Sequence, residues 1–260
     1  MQSTNRRNVV TAMFATVLLS AVSNALAQTQ VQTQVQATST KPEHPWTAEV
    51  SIGWDKSISG NINSSALGRL NGQAVVITKN RYEDVYGTGL MFRFGGGYML
   101  DHNTEVKAAF TIQSLDADLT PMGDFGASRL YGQYTDYQAY TLDVALRRYQ
   151  STTSPIKLYG EGTVGLGFID ETDVTLVAPA ANLFRNATDF YDQTAAFTFG
   201  GNAGVLFQTS AQVGIFAQAG LRWTTGMSEI DDLEDTTLQT INDKSARWTF
   251  PILLGLRIRF

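Results

Sequence analysis

The chain closes on Arg247–Phe260, RWTFPILLGLRIRF. Counting back from Phe260, one row of alternate residues is apolar throughout: Ile258, Leu256, Leu254, Ile252, Phe250, Trp248. The row between holds Arg259, Arg257, Gly255, Leu253, Pro251, Thr249 and Arg247. Successive side chains of a strand point to opposite faces, so a run this long predicts a strand with one apolar face and one largely polar face.

Working outward from that strand, seven more segments repeat the pattern. The first sets Trp46, Ala48, Val50, Ile52 and Trp54 against Thr47, Glu49, Ser51, Gly53 and Asp55. The next three carry Leu90–Leu100, Val106–Ile112 and Tyr140–Leu146 as apolar rows, with Arg93, Lys107, Asp143 and Arg147 in the rows between. The last three are Ile156–Phe168, Ala195–Phe207 and Val213–Trp223, with Glu161, Asn202 and Arg222 on their polar faces. Most of these segments reach the ~9–11 residues that a tilted strand needs to cross a bilayer.

The connections alternate in length. Asp101–Asn103, Gln150–Pro155 and Gln208–Ala211 are tight; Lys56–Val85, Ser114–Tyr137, Asp170–Gln193 and Thr225–Lys244 are long. No later run approaches the ~18 consecutive apolar residues of a membrane helix. Strands in lipid must close on themselves, because an unpaired edge cannot be satisfied there. The expected fold class is therefore all-β, an eight-stranded antiparallel up-and-down transmembrane β-barrel over residues 46–260. Short turns are expected on the periplasmic side and long loops outside the cell.

The other end of the chain agrees. Residues 1–27 read as a signal peptide: Arg6 and Arg7, an apolar stretch over Val9–Val22, and Ala25-Leu26-Ala27 before a cut at Gln28. Residues 28–45, rich in Gln and Thr, read as a flexible periplasmic tail. Losing Arg6 and Arg7 takes the formal charge from −5 to −7, and an acidic chain is a poor partner for nucleic acid. With no cysteine, disulfides and thiolate chemistry are excluded.

An eight-stranded lipocalin would turn its apolar face inward. Here the polar rows carry Glu49, Arg93, Lys107, Asp143, Glu161 and Arg257, which suits a narrow filled interior. The apolar rows carry aromatics near both ends. Trp46, Tyr98, Phe207 and Phe260 mark one, and Trp54, Tyr140, Phe168, Phe197, Trp223 and Trp248 the other. Two such girdles fit two membrane interfaces. With its terminal aromatic, the region Trp46–Phe260 resembles the small outer-membrane barrels of the OmpA/OmpX type. No peptidoglycan-binding domain of the kind that follows the barrel in full-length OmpA is expected. The resemblance implies that Phe260 is a sorting signal read by the barrel-assembly machinery. It also implies location in the outer membrane of a Gram-negative bacterium, among lipid and lipopolysaccharide.

Chemistry has few places to reside. Outer-membrane lipid-modifying enzymes and proteases use a His near the outer rim. This chain has only His44, in the tail, and His102, in a periplasmic turn. No catalytic, metal or cofactor site is expected. The glycines at 160, 162, 165 and 167 sit within a strand, where a phosphate loop has no helix to follow. Inside the barrel, Glu49 is expected between Arg257 on the closing strand and Arg93 on the next, as a lumen ion pair. The second to fourth long loops are acidic and the first is basic, through Lys56, Arg69, Lys79 and Arg81. The expected role is structural, with surface interaction through the loops toward lipopolysaccharide or a host or phage ligand. A narrow pore is the alternative, and a lipid-modifying enzyme a remote third.

Overall fold

The computed structural model describes residues 42–150, 153–230, 238, 241–242 and 246–260, so the expected leader and most of the tail lie outside the described residues. In chain order the elements are β1 (Trp46–Ser59), β2 (Asn61–Asn63), β3 (Ala66–Leu70), β4 (Gln73–Ile77), β5 (Asn80–Arg81) and the short helix α1 (Tyr82–Val85). Next come β6 (Thr88–Met99), β7 (Thr104–Leu115), β8 (Thr120–Phe125), β9 (Ser128–Tyr134), β10 (Tyr137–Tyr149) and β11 (Ile156–Ile169). The remainder is β12 (Thr172–Ala178), a 3₁₀ turn at Pro179–Ala181, β13 (Leu183–Asp192), β14 (Thr194–Gln208), β15 (Val213–Thr224), β16 (Ser228–Glu229) and β17 (Arg247–Arg259).

Eight of these close an antiparallel barrel in the order β1-β17-β15-β14-β11-β10-β7-β6. Each corresponds to one of the eight alternating segments. The closing seam joins the two ends of the barrel region, with Ala48 opposite Ile258 and Glu49 opposite Arg257. Beyond it, Trp46 and Phe260 exchange backbone hydrogen bonds of 3.2 and 3.0 Å. No strand edge is left in the wall, the condition for crossing lipid.

The apolar rows face outward. Ile52, Phe94, Phe110, Leu142, Val164, Phe199, Leu221 and Leu254 are exposed, whereas Thr47, Arg93, Lys107, Asp143, Glu161 and Arg257 are buried inside. This is the reverse of a lipocalin, and it makes the eight strands transmembrane. A Lys or Arg on the lipid face costs ~2–4 kcal/mol at the bilayer midplane and little near its edges. The outward cations in the wall, Lys56 and Arg148, stand near strand ends, opposite Phe250 and Thr104 respectively. Outward aromatics gather at both ends. Trp46 packs edge-on to Tyr98 at 4.9 Å, and Phe199 packs on Trp223 at 4.9 Å and Trp248 at 6.0 Å.

Gly165 illustrates how a small barrel spends its glycines. It faces inward opposite Asp143, and a Cβ there would strike the Asp143 side chain and the Leu142 carbonyl.

The long connections, expected as loops, carry strands of their own. They pair into a seven-stranded sheet, β16-β13-β12-β9-β8-β4-β3, so hairpins from different barrel connections hydrogen-bond to one another. The sheet's inner face, α1 and the barrel rim share one apolar core that includes Ile62, Ile77, Val85, Leu115, Leu130, Leu176, Phe190 and Ile241. The described part of the chain is thus a membrane barrel with a folded β cap.

Candidate functional site

The lumen is filled in layers. At the turn end, Met99, Tyr149, Tyr159, Leu206 and Phe216 form an apolar cluster. They project from the turn-side ends of the strands, with Met99 in register with Glu105.

Above it lies a charged layer. Glu49 and Arg257, neighbours across the closing seam, approach to 3.5 Å. Glu49 is held more closely by residues from farther round the wall, Arg147 at 2.5 Å and Lys107. Arg93 pairs with Glu161 at 3.2 Å. Glu161 also accepts from Arg147 at 2.7 Å and Lys107 at 3.2 Å. Arg257 has a second carboxylate in Glu105 at 2.8 Å, which in turn accepts from the Tyr149 hydroxyl at 2.8 Å and from Thr47. The Arg147 guanidinium stacks over the Tyr159 ring at 4.2 Å, joining the charged layer to the aromatic one.

Toward the cap a second layer follows. Asp143 takes Arg222 at 2.6 Å, and Asp55 takes Gln113, with Arg247 at 3.7 Å. Arg247 also donates to Ser57 at 2.9 Å and lies over the Tyr137 ring at 4.3 Å. Among the described residues the lumen therefore holds six buried cations, Arg93, Lys107, Arg147, Arg222, Arg247 and Arg257. They face five carboxylates: Asp55, Glu105, Asp143 and Glu161, which are buried, and Glu49, whose side chain is 6% exposed. The void beside Glu49 and Arg93 measures about 10 Å³. That is room for about one water molecule. The ion pairs cross the lumen at this level.

Sequence reasoning places Glu49, Arg93 and Arg257 on the inner face but does not find Lys107, Arg147, Glu105 or Glu161 as their partners. Such partners meet across the barrel, and a contact across the lumen leaves no mark in the pairing of adjacent strands. Phe260, 60% exposed, ends the outward row of the closing strand. His44 and His102 are both exposed at the turn end of the barrel.

The cap is the second candidate site. Asn63, fully buried, ties its parts together. Its amide donates to the Thr78 carbonyl at 2.8 Å and its oxygen accepts from the Tyr134 hydroxyl at 3.1 Å. Asn242, its bridge partner, donates to the Phe190 and Ile230 carbonyls at 2.6 and 2.8 Å. The Tyr191 hydroxyl donates to the Ile62 carbonyl at 2.6 Å. Burial pushes the Tyr86 and Tyr134 phenols up, with neighbouring phenols adding to it, so both remain protonated donors. Outside this core the cap shows solvent Leu67 and Phe184, 77% and 68% exposed. Asp173 and Asp189 stand opposite each other on the β12–β13 hairpin. Of the acidic residues in the last long connection, Asp231, Asp232, Glu234, Asp235 and Asp243 lie outside the described residues.

No protein-family model matches the chain, and no curated protein matches it by sequence. Solved structures do resemble it. Neisserial surface protein A is 14% identical over 83% of this chain and 97% of its own, with a TM-score of 0.44. The outer membrane protein OprG of Pseudomonas aeruginosa is 12% identical over 84% and 97%, TM-score 0.44. Ail of Yersinia pestis, solved with the heparin analogue sucrose octasulfate, is 14% identical over 83% and 99%, TM-score 0.36. The closed eight-strand wall with its apolar exterior decides the matter of architecture. The fold is that of a small eight-stranded outer-membrane β-barrel. A fold of this kind hosts unrelated functions, so function has to be argued from the lumen and the cap.

Proposed function

We propose that the protein is a non-enzymatic outer-membrane barrel that works through its cap as a structural and surface-interaction protein. In this reading the turns lie in the periplasm and the cap outside the cell. The observation that carries the reading is the pairing of all four long connections into one sheet with its own core. Loops that served only to join strands would gain nothing from that order. A preorganised surface loses less entropy when it engages a partner. The cross-linked lumen supports the same reading over the narrow-pore alternative, because eight strands leave an interior that side chains can fill.

The surroundings assigned to the cap are lipopolysaccharide and, beyond it, a host or phage surface ligand. Phe260, at the end of the lipid-facing row of the closing strand, is assigned to recognition by the barrel-assembly machinery. The leader before Gln28 would be removed on export.

Cells displaying the intact barrel, compared with cells displaying a barrel whose β12–β13 hairpin is cut back to a short turn, test the proposal. Both must reach the surface in equal amount. Loss of adhesion to host cells or of phage adsorption on trimming supports the reading. Equal behaviour of the two across those assays, together with solute uptake that depends on the barrel, would replace it with the pore.

A further inference from the structure

Two sets of buried polar atoms in the lumen make no hydrogen bond to protein, and they differ in kind. Near the cap, the set is Asp55 Oδ1, Arg247 Nη2 and Thr249 Oγ1. It mixes a carboxylate acceptor with a guanidinium donor, which one bridging water satisfies. At mid-barrel the set is Arg93 Nε, Arg93 Nη2 and Thr111 Oγ1. The nitrogens are donors only, and the hydroxyl can donate as well.

The geometry of this second set is specific. Arg93 and Thr111 are register partners on β6 and β7, so both side chains enter the lumen at the same level. They are 5% and 1% exposed. Glu161 takes Arg93 through Nη1 at 3.2 Å. The edge that remains is Nε–H with Nη2–H, two parallel donors on a rigid planar group, the edge that grips an anion side-on.

Charge points the same way. Among the described residues, the six buried cations of the lumen exceed its five carboxylates by one. Glu49 and Glu161 are each already shared among several cations, and an uncompensated buried charge is costly. The void that Arg93 borders with Ser51, Gly95, Lys107 and Ala109 lies one inward step toward the turns from Thr111, which does not line it, and is about 10 Å³. That space admits one water-sized occupant and no polyatomic oxyanion. Glu49 also borders it, but its oxygens already accept from Arg147, Lys107 and Arg257.

We propose that the lumen binds one halide ion, chloride under ordinary conditions, on the Nε/Nη2 edge of Arg93 with the Thr111 hydroxyl as a third donor. The ion neutralises the excess cation and completes the charged layer, so it is a structural ligand of the closed barrel.

The test uses the whole mature barrel refolded in detergent, with thermal unfolding followed in sodium chloride and in sodium gluconate at equal ionic strength. The midpoint should rise with chloride and saturate, and stay flat with gluconate. Arg93→Gln should abolish the rise. Thr111→Val, of nearly the same shape, should raise the half-saturating chloride concentration roughly tenfold, as expected for one lost hydrogen bond to a charged group. If Arg93→Gln does not refold, Thr111→Val carries the comparison. A crystal grown in bromide should show an anomalous peak between Arg93 and Thr111. Equal midpoints in the two salts, a chloride response unchanged in Thr111→Val, or a bromide crystal with only water there would overturn the proposal.

Discussion

Glu49 on β1 and Arg147 on β10 are separated by 98 residues in sequence, yet their side chains meet inside the barrel at 2.5 Å. The contact bypasses the two strands between them, β6 and β7, and passes through the interior. It belongs to a set in which Glu49 and Glu161 hold Lys107 and Arg147 between them. One carboxylate thereby fastens several staves of the wall at once.

Glu49→Ala should therefore destabilise the barrel well beyond an ordinary surface change. Removing one partner of a buried pair costs about 3–5 kcal/mol; here Lys107, Arg147 and Arg257 keep only Glu161 or Glu105, and the layer is left with excess buried positive charge. Heat-modifiability on gels, or thermal unfolding in detergent, should show a clear drop in midpoint. A midpoint equal to wild type would mean that the cations are satisfied by other means.

The cap should loosen when its buried amide is removed. Asn63→Ala leaves the Thr78 carbonyl without its side-chain donor and the Tyr134 hydroxyl with only the Met122 sulfur at 3.9 Å. A buried polar group left unsatisfied costs about 1–3 kcal/mol. Cap hairpins of the variant should be clipped by protease faster than those of wild type, while the barrel itself stays resistant. Equal cleavage rates would show that the amide is not a staple.

Acid should tighten one cap hairpin. Burial and the facing Asp189 hold the Asp173 carboxyl above its ordinary value. The folded hairpin then binds its proton more tightly than the unfolded chain does. The advantage is complete below the ordinary carboxylate range and is lost as pH rises through the raised value. Hydrogen exchange, corrected for intrinsic rates, should show β12–β13 better protected at mildly acidic pH than at neutral pH. Asp189→Asn should flatten that dependence; an unchanged pH profile in the variant would remove Asp189 as its cause.

Orientation and assembly have their own checks. A tag inserted at Ser65, in the cap, should be labelled on intact cells, and one at Thr153, in a short turn, should not. Deleting Phe260 should lower the amount of barrel in the outer membrane and send the remainder to periplasmic proteolysis. Labelling at Thr153 would invert the topology, and undiminished assembly would detach Phe260 from sorting.

The barrel wall was legible because a strand with lipid on one side and a polar lumen on the other must alternate strictly. The Glu49–Arg257 neighbourhood was legible too, since both residues flank the one seam that closure imposes. Arg147 and Lys107 were visible only as inward charges, because their partners sit across the lumen. In the sequence the cap strands read as loops. Pro121, Gly123 and Gly126 interrupt β8–β9, and the buried face of each hairpin rests on other hairpins. One signal was there to be used. Asn71-Gly72 adopts positive φ at both residues, 51° and 78°, as the tight turn joining β3 and β4. Asn-Gly between apolar runs is a strong short-range hairpin signal.

The central claim is a lumen closed by cross-barrel ion pairs beneath an ordered cap. Conductance of the whole mature barrel in planar lipid bilayers tests it most directly. The account predicts a baseline without unitary steps for the wild type. Steady, long-lived wild-type openings at moderate voltage would contradict it and make the pore the protein's function.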